Sequence, residues 1–178
     1  ISPLRPDDSC SELLERLTVP ETEAGASPPV LILLHAATGR GKTALLDAFA
    51  LELAQTPSTR VTRFSASTLE NGDQFWCALA AAITADPNVV TGKDPGECHL
   101  LVTKWVWDLE SPAVLLIDDY GKVSTPQLDL ALAEAVAVTP RLQTVVASRA
   151  FSVMTGPVVA SRFHTLVLAE KELRACIP

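Results

Sequence analysis

The sequence predicts an α/β fold with a parallel sheet and helices on both faces. Three observations lead there. Apolar or β-branched runs alternate along the chain with segments of helical apolar spacing. The first run, residues 30–34, feeds a small-residue turn that opens a helix. A later run, residues 113–117, is apolar throughout, as a strand buried on both faces must be. The 178 residues suit one sizeable domain, with 48% apolar and 20% charged residues to supply a core and a surface.

The elements follow in order. Pro6-Asp7-Asp8-Ser9 leads into a short amphipathic helix over 11–17, and residues 21–29 form a proline-terminated connector. The first strand starts at Val30, and a helix over 43–53 carries Leu46, Phe49, Ala50 and Leu53 on one face. Residues 60–65 alternate β-branched or aromatic with polar side chains and read as a second strand. Asn71-Gly72-Asp73 turns the chain, and Asp73 is the expected cap of a helix presenting Phe75, Trp76, Leu79, Ala80 and Ile83 to the core. After a turn-rich loop over 87–96, Cys98, Leu101, Val102, Trp105 and Leu109 outline another helix face. Thr125-Pro126 gives an N-cap and a first-turn proline to a helix reaching about Val138. Strands over 143–148, with Arg149 at the tip, and over 164–168 complete the set.

The turn after the first strand, Ala36-Ala37-Thr38-Gly39-Arg40-Gly41-Lys42-Thr43, fits the P-loop pattern G-x-x-x-x-G-K-[ST] except at its first position, where Ala36 replaces glycine. Such a loop lets consecutive amides curl around an anion, and the helix that follows adds unpaired N–H donors and a positive dipole end. Ala36, Gly39, Gly41, Lys42 and Thr43 are therefore the expected nucleotide-binding residues. Lys42 would neutralise the β/γ-phosphates of ATP or ADP, and Thr43 would place its hydroxyl on Mg²⁺. Ala36 would restrict the strand exit if a positive φ were needed there. Arg40 is expected to point outward into solvent.

Asp118 and Asp119 end a buried strand, where a phosphate site needs a carboxylate. Mg²⁺ is usually held through one or two carboxylates plus nucleotide oxygens, so Asp118 is the expected metal-side residue. Asp119 is the candidate to orient or deprotonate an attacking water. Arg149 is open to two readings, a solvated strand-end arginine or a donor fork that reaches the γ-phosphate.

Composition limits the alternatives. A net charge of −7 gives the chain no electrostatic grip of its own on nucleic acid. Cys10, Cys77, Cys98 and Cys176 form no C-x-x-C pair and are expected as reduced thiols. No apolar run is long enough to span a bilayer and no signal sequence opens the chain, so a soluble, cytoplasmic protein without membrane contact is expected.

Taken together, residues 36–46 (AATGRGKTALL), residues 64–83 (FSASTLENGDQFWCALAAAI) and Leu115-Leu116-Ile117-Asp118-Asp119-Tyr120, continuing to Val145-Val146-Ala147-Ser148-Arg149, resemble the STAND-class P-loop ATPases. Within that class the chain is most similar to the nucleotide-binding module of large LuxR-type bacterial transcriptional regulators, the group that contains the maltose-regulon activator. The Asp-Asp-Tyr and Ala-Ser-Arg strand endings match that group residue for residue. The resemblance implies a three-layer P-loop NTPase fold with strand order 5-1-4-3-2, preceded by a lead-in helix and linker over 1–29. It also implies an ATP/ADP switch with slow Mg²⁺-dependent hydrolysis, in which Arg149 reports the γ-phosphate. Self-association would be a property of the full-length protein, and DNA would be met only through a downstream helix-turn-helix domain. With that domain and the helical sensor domain missing after Ile177-Pro178, the chain reads as an excised module. Arg5-Pro6 only loosely echoes the group's lead-in to the first helix.

Two other readings share the scaffold. A P-loop small-molecule kinase would usually carry an arginine-rich lid, whereas residues 150–161 are nearly uncharged. A degenerate P-loop serving only as an interaction domain would be consistent with Ala36 but not with retention of Lys42, Thr43 and Asp118.

Overall fold

Five strands, β1 (Leu31–His35), β2 (Arg60–Ser65), β3 (Ala113–Asp118), β4 (Leu142–Ser148) and β5 (Thr165–Ala169), form one parallel sheet in the order β2-β3-β4-β1-β5. This is the order the family resemblance implies. The computed structural model describes residues 30–39, 41–55 and 58–171. The expected helix over 11–17, the connector over 21–29, Arg5-Pro6 and Arg40 lie outside the described residues.

Helix α1 (Lys42–Leu53) covers one face of the sheet. Its Leu45, Leu46, Phe49 and Leu53 pack on Ile32, Leu34, Val114, Leu116, Val145 and Ala147. Helices α2 (Gly72–Thr84), α3 (Pro95–Trp107) and α4 (Pro126–Val136), with the short α5 (Pro157–Arg162), cover the other. There Leu31, Leu33, Leu115, Ile117 and Val146 meet Phe75, Leu79, Val102 and Leu132. Successive strand residues point to opposite faces, which is why β3 must be apolar without interruption while β2, at an edge, alternates.

Local chemistry sets the helix starts, with one correction. Asn71, not Asp73, caps α2: its side chain accepts from the Asp73 and Gln74 amides, and Asp73 sits in the first turn. An α3 capping box pairs Asp94 with the Glu97 amide and Glu97 with the Asp94 amide. Thr125 caps α4 ahead of Pro126, as its sequence signature indicates. The inner stripe of α3 is Cys98, Val102 and Val106, with Leu101 and Trp105 flanking it half-buried. At the far end of the sheet Arg60 donates to the Ile83 carbonyl and lies over the Trp105 ring, tying α2 and α3 to the start of β2.

The expectation of reduced thiols is corrected for one pair. Cys77 on α2 and Cys98 on α3 form a disulfide, with Cα atoms 5.0 Å apart. Twenty-one residues separate them in the chain. Only the packing of the two helices brings them together, which cysteine spacing does not reveal.

In the denatured, unreduced protein Cys77 and Cys98 should resist alkylation, and peptide mass mapping should find both alkylated only after treatment with a dithiol. In the middle of β4, Thr144 is fully buried and its hydroxyl has no hydrogen-bond partner among the described residues. Because a buried unpaired hydroxyl is costly, Thr144→Val should raise stability by about 1 kcal/mol. That corresponds to a rise of roughly 2–4 °C in Tm by calorimetry.

Candidate functional site

Parallel strands deliver their C-terminal ends to a single edge of the sheet, and the candidate residues gather there. A cleft of about 330 Å³ is lined by Thr38, Gly39, Gly41, Lys42, Thr43, Ala44, Asp118, Asp119 and Arg149. The structure thus brings together every residue singled out from sequence except Ala36.

The loop from β1 to α1 depends on two glycines. Gly39 and Gly41 have φ of 75° and 73°, the left-handed region that a side chain disfavours. Gly41 is the N-cap residue of α1, and its carbonyl accepts the Leu45 amide at 2.8 Å. The first amides of a helix have no partner within it, and here that first turn lies against the cleft. Ala36 stands differently from expectation. It is buried beneath the loop, outside the cleft lining, and its φ is not positive, so an alanine fits there without backbone strain. Its amide donates to the Ser148 carbonyl, joining the loop to the end of β4.

Lys42 is 8% exposed, and its ammonium donates to the Ala36 and Ala37 carbonyls at 2.7 Å each. Burial holds this ammonium below the usual lysine range; Asp118 and Asp119 oppose that shift and Arg149 adds to it. Asp118 is 5% exposed at the end of β3, and its carboxylate accepts the Asp119 amide at 2.9 Å. Asp119 has φ 54° and ψ 27°, a left-handed conformation that aspartate tolerates better than most residues. Arg149, one residue past β4, is exposed and lines the cleft, and its carbonyl accepts from His35 Nε2 at 3.2 Å.

Sequence reasoning missed Arg63. It lies on the α1 side of β2, where it pairs with Asp47 of α1 and reaches the Asp118 carboxylate at 3.9 Å. The signal was faint: an arginine on a β2 position facing α1, two residues before the strand end.

The hard oxygen donors Thr43 and Asp118, within one cleft beside a buried lysine, suit Mg²⁺ and the phosphates of a nucleotide. A second cleft, of about 420 Å³, lies between the first turns of α2, α3 and α4. The Trp76 ring there lies against His99, tilted by 39°, with ring centroids 4.2 Å apart.

No protein-family model matches the chain, and no curated protein sequence is significantly similar to it. Among solved structures it is similar to Cdc6p from Pyrobaculum aerophilum, with TM-score 0.61 and 15% identity over 94% of this chain and 46% of that one. It is likewise similar to the Aeropyrum pernix ORC1 protein, solved in complex with DNA, with TM-score 0.63 and 20% identity over 94% and 45%. For the Aeropyrum pernix ORC2 protein, solved as ADPNP–ADP complexes, the TM-score is 0.58 and the identity 16%, over 93% and 48%. At these identities the likeness is one of fold, the α/β fold of P-loop ATPases. The chain spans just under half the length of each of these proteins.

The two walls of the cleft touch through Gly121. A Cβ there would lie 2.5 Å from Ser148 Oγ and 3.2 Å from the Ala150 carbonyl. Gly121→Ala should therefore force the Asp118 turn away from β4, costing about 1–3 kcal/mol in chemical denaturation.

Proposed function

We propose that this chain is an ATP/ADP-binding switch module of a LuxR-type, STAND-class transcriptional regulator. One observation carries the reading: Lys42, Thr43, Asp118, Asp119 and Arg149, from the segments at the ends of β1, β3 and β4, line a single cleft. Glycine-rich loop amides and Lys42 hold the β- and γ-phosphates. Thr43 and Asp118 hold Mg²⁺, which offsets charge on the phosphate oxygens. Asp119, on a left-handed turn that lines the cleft, orients the attacking water for slow hydrolysis. Arg149 engages the γ-phosphate from the end of β4 and so distinguishes ATP from ADP.

Such a switch works only through differential affinity. Moving a 1:99 equilibrium to 99:1 takes roughly 5.5 kcal/mol, and contacts of the γ-phosphate with Lys42 and Arg149 are the source proposed here. Residues 30–178 are read as the ATPase core; self-association is assigned to the full-length regulator, and DNA contact to a part of it other than these residues. The setting is cytoplasmic. No helix among the described residues is long and apolar enough to cross a membrane. The reducing poise of the cytoplasm would then decide the state of the Cys77–Cys98 pair.

Thermal unfolding with Mg-ATP and Mg-ADP tests the reading. Ligand at a hundred times Kd should add about 2.7 kcal/mol of stability. Lys42→Ala should abolish the shift with both nucleotides, and Arg149→Ala should remove the preference for ATP. A shift that persists in Lys42→Ala would refute the assignment.

A further inference from the structure

Asp129, on α4, takes no part in the cleft and is the most completely buried charged residue among those described, at 0% exposure. Its carboxylate accepts four hydrogen bonds, filling the lone-pair positions of both oxygens. Oδ1 receives the Tyr120 hydroxyl at 2.9 Å and the Ser124 hydroxyl at 2.8 Å. Oδ2 receives the Val153 amide at 2.8 Å and the Met154 amide at 3.1 Å. Ser124 Oγ in turn accepts the Ser152 amide at 3.0 Å.

All these donors come from two segments. Tyr120 and Ser124 belong to the turn that starts with Asp118 and Asp119. Ser152, Val153 and Met154 belong to the loop that starts with Arg149. The sheet fixes Asp118 and Ser148 through strand pairing, but Asp119 and Arg149 lie just past the strand ends, where pairing no longer holds them. The buried carboxylate grips the chain directly after each of them. Phe151 adds an aromatic bridge, packing on Tyr120 and edge-on to His35, which itself donates to the Arg149 carbonyl.

We propose that Asp129 is a positioning residue that couples the Asp118–Asp119 turn to the Arg149 loop, so that the two walls of the cleft move as one unit. The geometry of the coupling stands by itself; its consequence for nucleotide discrimination rests on the switch reading above. A contact that reports the γ-phosphate to Arg149 is then transmitted to Asp119 through buried hydrogen bonds rather than across solvent.

Amide hydrogen exchange in the full chain tests the coupling without nucleotide. Tyr120→Phe removes one donor on the Asp119 side and leaves the other loop's side chains untouched. Coupling predicts roughly tenfold faster exchange at Val153 and Met154 as well as near Tyr120. Asp129→Asn should loosen both segments together, and Tyr120→Phe serves alone if that variant does not fold. Leu132→Ala, one turn along α4 and also fully buried, controls for general loss of stability and should not single out these two segments. Acceleration in Tyr120→Phe confined to residues around position 120 would overturn the proposal. The ratio of ATP to ADP affinities then separates the two ideas. It should fall in Tyr120→Phe as in Arg149→Ala. If Arg149→Ala leaves the ratio unchanged while exchange is still coupled, the sensing reading fails and the role of Asp129 stands.

Discussion

Parallel strands cannot be joined by hairpins, so each strand of this sheet sends its chain back through a crossover and ends at the same edge. The cleft depends on that constraint together with one detail of order: β4 is inserted between β1 and β3. The segment carrying Arg149 therefore emerges between the loop carrying Lys42 and the turn carrying Asp118. Sequential neighbours in the chain would have put β1 beside β2 and left these groups apart. The apolar faces suit a place inside the sheet. Leu31 and Leu33 belong to the face covered by α2, α3 and α4, whereas Ile32 and Leu34 lie under α1, so β1 must be buried on both sides.

What was legible in the sequence was what lies close together along the chain. The loop spells its glycines, lysine and threonine within eight residues, and each strand ending carries its polar group next to an apolar run. The helix caps at Thr125 and the β3 strand were equally local. Arg63, Asp129 and the Cys77–Cys98 bond were not legible, since each acquires its meaning from a partner on another element. Asp129 illustrates the difficulty. Helical spacing puts it on the buried stripe with Leu132, Ala133 and Val136, and only the donors from two distant segments explain why a carboxylate is held there. Asn71 and Asp73 show a smaller failure. Both are good caps, two residues apart, and backbone geometry decided between them.

Charge is arranged against the overall balance of the chain. The protein carries −7 overall, yet Lys42, Arg63 and Arg149 converge on one edge, facing Asp118 and Asp119. Attraction for a phosphate there must be short-ranged, through backbone donors and close contacts, because the long-range field of the molecule is repulsive to anions. Burial sharpens the effect: with both Lys42 and Asp118 largely out of water, their interactions are poorly screened.

The left-handed backbone at Asp119 has a further meaning. Few residues besides glycine, asparagine and aspartate occupy that region easily, so the position is restricted by conformation before chemistry is considered. The second aspartate of the pair is doubly specified, once by its carboxylate and once by its φ. Asparagine there keeps the turn and removes only the charge, whereas alanine removes the charge and strains the turn. Divergence at this site would thus run toward asparagine or glycine, and a copy of the fold that had lost its chemistry would still bear the mark of the turn.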